Sequence, residues 1–291
     1  MIKTYRANGL KLWACAIGMV ISGQYFGWSY SFSYANLSDI LLSLLLVFIF
    51  YSLLMTIYIR LTLAIPNAGG IMAYFKAIRM PRAAKIVGTI AFFEFFFAVA
   101  AISAALGSYI HQLIPIASPP QISLIVLAGL GILYKIGLEH SIKLEILVTC
   151  LALFGISIFI LASLHHNEIN FIIQHISTPH TKNMLMAIPY LLWLFLGIEG
   201  TVLAAKPQKD YHPILSRAVK KAMITLGLSA ILLVIQVATL IQPFEWKTNS
   251  LLPTIMQHQH TATHWVVITL SVCGSCGLLA SLNGLLIAAI E

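Results

Sequence analysis

The stretch Gly18-Met19-Val20-Ile21-Ser22-Gly23-Gln24-Tyr25-Phe26-Gly27-Trp28-Ser29-Tyr30 (GMVISGQYFGWSY) lies inside the first long apolar run of the chain. Three glycines and a glutamine stand where a membrane helix gains nothing from them. In lipid, an unwound backbone leaves N–H and C=O groups unpaired at a cost of several kcal/mol each. A break is tolerated only where protein or bound solute satisfies those groups. Taken alone, the segment has two readings. It is an interruption that binds a solute, or a seam of small residues four apart, Gly23 and Gly27, for close helix packing.

Composition fixes the solvent. Hydrophobic residues make up 59% of the 291 and charged residues only 9%, too little polar surface for a protein bathed in water. Apolar runs long enough to cross ~30 Å of hydrocarbon fall at about 9–33, 39–64, 83–113, 121–137, 141–164, 184–205, 215–242 and 264–290, the fourth barely so. The expectation is an all-α integral membrane protein of about eight transmembrane helices. It forms a single membrane domain, 1–291, with the first five helices over about 9–164 and the last three over about 184–290.

The formal charge of +8 is topological. Basic residues crowd alternate links: Lys3, Arg6 and Lys11 at the start, Arg60, Lys76, Arg79, Arg82 and Lys85 after the second run, Lys135 and Lys143 around the fourth, and Lys206, Lys209, Arg217, Lys220 and Lys221 after the sixth. That alternation follows the positive-inside rule and sets the amino terminus, and with eight spans Glu291, on the cytoplasmic side. A bacterial inner membrane is the expected location, and no basic groove for nucleic acid remains. Leu12-Trp13-Ala14-Cys15 resembles a lipoprotein cleavage box, but too few apolar residues precede Cys15 for an export signal. Cys273-Gly274-Ser275-Cys276 reads as small residues that pack helices. The outer-link histidines (His165, His166, His175, His180, His258, His260, His264) form no chelating pattern, and no catalytic constellation, cofactor motif or metal site is found.

The sixth run repeats the opening theme. Ala187-Ile188-Pro189-Tyr190-Leu191-Leu192-Trp193-Leu194-Phe195-Leu196-Gly197-Ile198-Glu199-Gly200 again places a polar residue between glycines inside an apolar segment. Runs one and six correspond if the chain is two repeats of five helices. Glycine-interrupted helices at matching places in two repeats point to a transporter site. Two carboxylates are recognised within spans, Glu199 and Glu94, the latter amid Phe92, Phe93, Phe95, Phe96 and Phe97. Either serves as counter-ion to an ammonium group, as a proton carrier, or as a brace between helices. Together with Tyr25, Trp28 and Trp193, the aromatics around Glu94 offer a box for a cationic head group.

These residues also resemble a known family. Ile17 to Trp28 is similar to the first-helix motif of ethanolamine permeases within the amino acid–polyamine–organocation superfamily. Ala64-Ile65-Pro66-Asn67-Ala68-Gly69-Gly70 resembles that superfamily's A-x-P-x-A-G-G, Ala187 to Gly200 its sixth-helix signature, and Gly277-Leu278-Leu279-Ala280-Ser281-Leu282-Asn283-Gly284 its eighth helix. The resemblance implies an inverted five-plus-five repeat with discontinuous helices one and six. Substrate, a small amine or amino acid, would lie among Ile21, Ser22, Gly23, Gln24, Glu94, Trp193, Gly197, Ile198, Glu199 and Gly200. Uptake would proceed by alternating access driven by a proton or sodium gradient.

Departures from that pattern matter equally. Gln24 replaces an expected acid, Arg60 stands at a usually acidic place, Lys206-Pro207 replaces an acidic pair, and Ala152 sits where some proton-coupled members carry lysine. The second repeat stops after helix eight, incomplete. The expectation that follows is a truncated product that needs a missing carboxyl-terminal half or another membrane subunit, and the competing function is a non-transporting remnant or assembly partner.

Overall fold

The computed structural model describes residues 9–65, 70–136, 138–164, 178–203, 212–240, 247–259 and 264–290. Pro66, Asn67, Ala68 and Gly69 of the second motif, the Lys206-Pro207 pair, and His165, His166, His175 and His260 lie outside those residues. Every regular element among the described residues is helical.

The first apolar run divides into α1 (Gly9–Gly18), α2 (Ser22–Tyr25) and a 3₁₀ turn (Trp28–Ser33). Then follow α3 (Leu37–Ala64), α4 (Gly70–Ala77), α5 (Pro81–Leu113), α6 (Pro119–Ile136) and α7 (Leu138–Ser163). The sixth run divides into α8 (Thr181–Leu192) and α9 (Gly200–Leu203), and the chain continues through α10 (His212–Leu240), α11 (Leu251–His258) and α12 (His264–Ile290). Helices α3, α5, α7, α10 and α12 are long and apolar enough to cross a membrane unaided. The chain is an all-α integral membrane protein. Runs one and six fall short of that length because they are broken, and α6 because its 18 residues reach only about 27 Å. Two short helices, α4 and α11, occupy links that the sequence pattern marks only as connections.

Local chemistry sets the helix starts. Pro81 opens α5, where a missing N–H costs nothing. Asp39 accepts the Asn36 N–H at the start of α3. The same carboxylate receives the His180 N–H at 2.7 Å and Asn183 Nδ2 at 3.3 Å, which ties α3 to the start of α8. Ser43 adds a bond to the Met184 carbonyl.

The interior gathers around α12. More than half of its membrane window, 56%, is buried, against 17% for α5, so α12 is central and α5 faces outward. Close approach comes from small residues. A Cβ on Gly155 of α7 would strike Cys273, and Cβ atoms on Gly274 and Gly277 would enter the rings of Tyr109 and Tyr25. The C-x-x-C segment is thus a packing seam. On the outward face of α5, Phe92 stacks on Phe96 and Phe93 on Phe97, all four exposed.

Candidate functional site

The first break is tight. Past Gly18 the N–H groups of Met19, Val20 and Ile21 still bond to the carbonyls of Cys15, Ile17 and Ile17 at 3.0, 3.0 and 2.8 Å. The interruption comes one residue later. In a continuous helix the Ser22 N–H would bond the Gly18 carbonyl. Here the Ser281 hydroxyl of α12 is inserted between them, accepting from Ser22 N–H at 3.0 Å and donating to Gly18 C=O at 2.7 Å. A side chain placed in the ladder is one of the recognised causes of a helix kink. At Gly27 the chain passes from α2 into the 3₁₀ turn, with a φ of 91° that is open to glycine at little cost.

The second break spans Trp193–Glu199 between α8 and α9. Pro189 removes one donor a turn earlier, and Gly197 takes a φ of 92°. The two breaks meet without side chains between them: a Cβ on Gly23 would overlap the Trp193 carbonyl oxygen and stand 3.0 Å from Leu194 Cα.

Beside this crossing lies a narrow cavity of about 10 Å³ lined by Ser22, Glu94, Phe95, Trp193, Gly197 and Leu285, among others. That is the space of roughly one water. The Glu94 carboxyl of α5 comes near that of Glu199 across the second break. Trp193 Nε1, an orphan donor, and Glu199 Oε1, an orphan acceptor, are both buried with no partner among the described residues.

The anticipated residues divide by position. Ser22, Glu94, Trp193 and Gly197 line the cavity, and Glu199, 8% exposed, backs it. Gly23 makes the backbone crossing, while Ile21 and Ile198 are fully buried in the core and Gly200 opens α9. Gln24 turns away, its Nε2 donating to the Leu226 carbonyl of α10 at 3.3 Å. The aromatic box does not assemble as the sequence suggests. Tyr25 is committed to the Ala152 carbonyl at 2.6 Å, Trp28 to the Gln24 carbonyl at 3.2 Å, and of the phenylalanines near Glu94 only Phe95 lines the cavity.

A family model described as Amino acid permease matches residues 8–291. The chain belongs to the amino acid permease family. An uncharacterized transporter of Rhizobium meliloti (strain 1021) is 21% identical over 283 residues, covering 94% of this chain and 61% of that protein. The chain therefore spans about six-tenths of the length of this curated relative.

The chain also holds a third carboxyl that its sequence does not advertise. Glu145 of α7 is 1% exposed and accepts Asn283 Nδ2 of α12 at 2.9 Å. Its Oε1 and the Thr149 hydroxyl are buried without partners among the described residues, and both abut Gly18, where a Cβ would overlap them. One signal could have found it: Glu145 lies inside the fifth apolar run, about 141–164. Ser281 belongs to the eighth-helix motif, and nothing in the spacing shows that it reaches into the first break.

Proposed function

We propose that this chain carries the solute site of a secondary permease for a small amine or amino acid, formed where the breaks of the first and sixth spans cross. The observation that carries this is the conjunction at the cavity of two neighbouring carboxyls, Glu94 in its lining and Glu199 with a buried, unpartnered oxygen, with an orphan donor, Trp193 Nε1. An ammonium group would sit between the two carboxyls. A hydroxyl or carboxylate oxygen on the same small molecule would take the Trp193 N–H. Ethanolamine and short amino acids both present that pairing.

A cavity the size of one water does not admit such a solute, so binding requires the breaks or the α5 side chains to part. That movement is the step that alternating access needs, and the solute must favour one arrangement over the other to drive it. In this reading the first five spans form one repeat and the remaining three belong to a second, inverted one, and the amino terminus is cytoplasmic in a bacterial inner membrane. Coupling to a proton or sodium gradient falls to Glu145, whose free oxygen and that of Thr149 sit against the end of α1.

The test is binding and uptake of labelled ethanolamine and amino acids by vesicles containing the purified chain. Glu199→Gln should weaken amine binding by roughly tenfold or more, the loss of a charge-assisted bond, with insertion intact. Unchanged affinity would remove Glu199 from the site.

A further inference from the structure

A second cavity shares no lining residue with the proposed solute site, although Phe48 at its inner end packs on Phe195 of the second break, with ring centroids 5.9 Å apart. It is about 410 Å³ and opens between α3 and α10, within the size range of small-ligand sites. The two helices run antiparallel: Phe48 of α3 meets Gly227 of α10, where a Cβ would lie 2.7 Å from the ring, while Arg60 and Lys220 both line the cavity. From Phe48 to Arg60 is twelve residues, about 18 Å of helix. Half of a ~30 Å hydrocarbon core is about 15 Å. The slot thus runs from the basic ends of two spans to the level where they touch, roughly the depth of one leaflet.

Its chemistry changes along that length. The inner part is walled by Phe48, Met55 and Met223, and the outer part carries the guanidinium of Arg60 and the ammonium of Lys220 with the Ser216 hydroxyl between the helices. No ion pair engages Arg60 or Lys220 among the described residues. A free anion has no use for an apolar slot about 18 Å deep, and a neutral lipid has none for paired cations. The one class that matches both ends is an anionic phospholipid, with its phosphate on the basic pair and an acyl chain laid inward. Basic pockets between transmembrane helices are a known setting for such head groups.

We infer that the α3–α10 cleft seats an anionic phospholipid, whose phosphate is held by Arg60 and Lys220 and whose acyl chain lies against Phe48, Met55 and Met223. The bound lipid would fill the gap between spans two and seven.

The experiment is native mass spectrometry of the purified full chain released from nanodiscs of phosphatidylcholine and phosphatidylglycerol in equal parts. Wild type should retain one phosphatidylglycerol in about tenfold preference to phosphatidylcholine. Arg60→Gln/Lys220→Gln should reduce the preference to twofold or less. Thr56→Trp keeps both charges and fills the slot from its wall, so it should abolish retention as well. Retention unaffected by Thr56→Trp would show diffuse surface attraction and overturn the proposal, as would equal retention of both lipids by wild type. Displacement of the lipid by millimolar inorganic phosphate would also overturn it, since the apolar slot would then contribute nothing. Circular dichroism and the thermal midpoint in detergent identify any variant that fails to fold. If the charge variant does so, Thr56→Trp decides.

Discussion

Ser281→Ala removes a single oxygen from the centre of the molecule and leaves two backbone groups without their partner. In wild type the hydroxyl is both acceptor for the Ser22 N–H and donor to the Gly18 carbonyl. Ser281 is fully buried, and Ser22 is 4% exposed. The space vacated by one oxygen is too small for water, which needs about 10–15 Å³. An unsatisfied buried group costs about 1–3 kcal/mol, so the two together give a loss of about 2–6 kcal/mol. One relaxation sets the lower end: the Ser22 N–H can swing back to the Gly18 carbonyl and heal the helix, at the expense of the Gly23–Trp193 crossing. The matched control is Ser271→Ala on the same helix. Ser271 is equally buried, but its hydroxyl only adds a bond to the Val267 carbonyl within α12. Reversible unfolding in mixed micelles, followed by circular dichroism, should show Ser281→Ala destabilised by at least ~2 kcal/mol more than Ser271→Ala. Equal midpoints for the two variants would refute the idea that this hydroxyl holds the break open.

Three further outcomes follow from the packing. Gly23→Ala places a methyl against the peptide of Trp193 and Leu194, where no rotamer can yield, and should cost about 1–3 kcal/mol; Gly129→Ala, where nothing lies within 4 Å of the new Cβ, should be neutral or stabilising, and thermal midpoints that coincide would contradict the crossing. Glu145→Gln keeps shape and the Asn283 contact but not the charge, so uptake should lose its dependence on the ion gradient while equilibrium amine binding stays within about twofold; uptake still driven by the gradient would relieve Glu145 of that role. Asp39→Ala strips partners from Asn36, His180 and Asn183 and should lower unfolding stability by about 2–4 kcal/mol, whereas a change under ~0.5 kcal/mol would mean that the α3–α8 tie is idle.

The breaks were legible because glycine and a lone polar group weaken an apolar helix in lipid, and little besides a site or a packing seam offsets that cost. Glu94 and Glu199 stood out for the same reason, and their convergence is a product of the crossing of α5 with the second break. Glu145 did not stand out. It stands near the start of the fifth run, just after His140, Ser141 and Lys143, and so resembles the polar rim of a span, whereas α7 starts at Leu138 and carries the carboxyl inside. The direction of Gln24 was equally hidden. Its helix, α2, has four residues and no periodicity of its own, and contacts with α10 and α12 decide where each side chain points. Ser281 illustrates the limit most plainly. Ser271 and Ser275 on the same helix bond back to their own turns, the usual habit of a mid-helix serine, and only the approach of α1 makes Ser281 behave otherwise.

The contact of Gly23 with the Trp193 peptide has a mechanical meaning. Where side chains meet, a displacement is absorbed by rotation about a bond, and the neighbour feels a fraction of it. Here main chain rests on main chain, with no side-chain rotor between them. A shift of the sixth-span break therefore reaches the first more directly than it would through side chains.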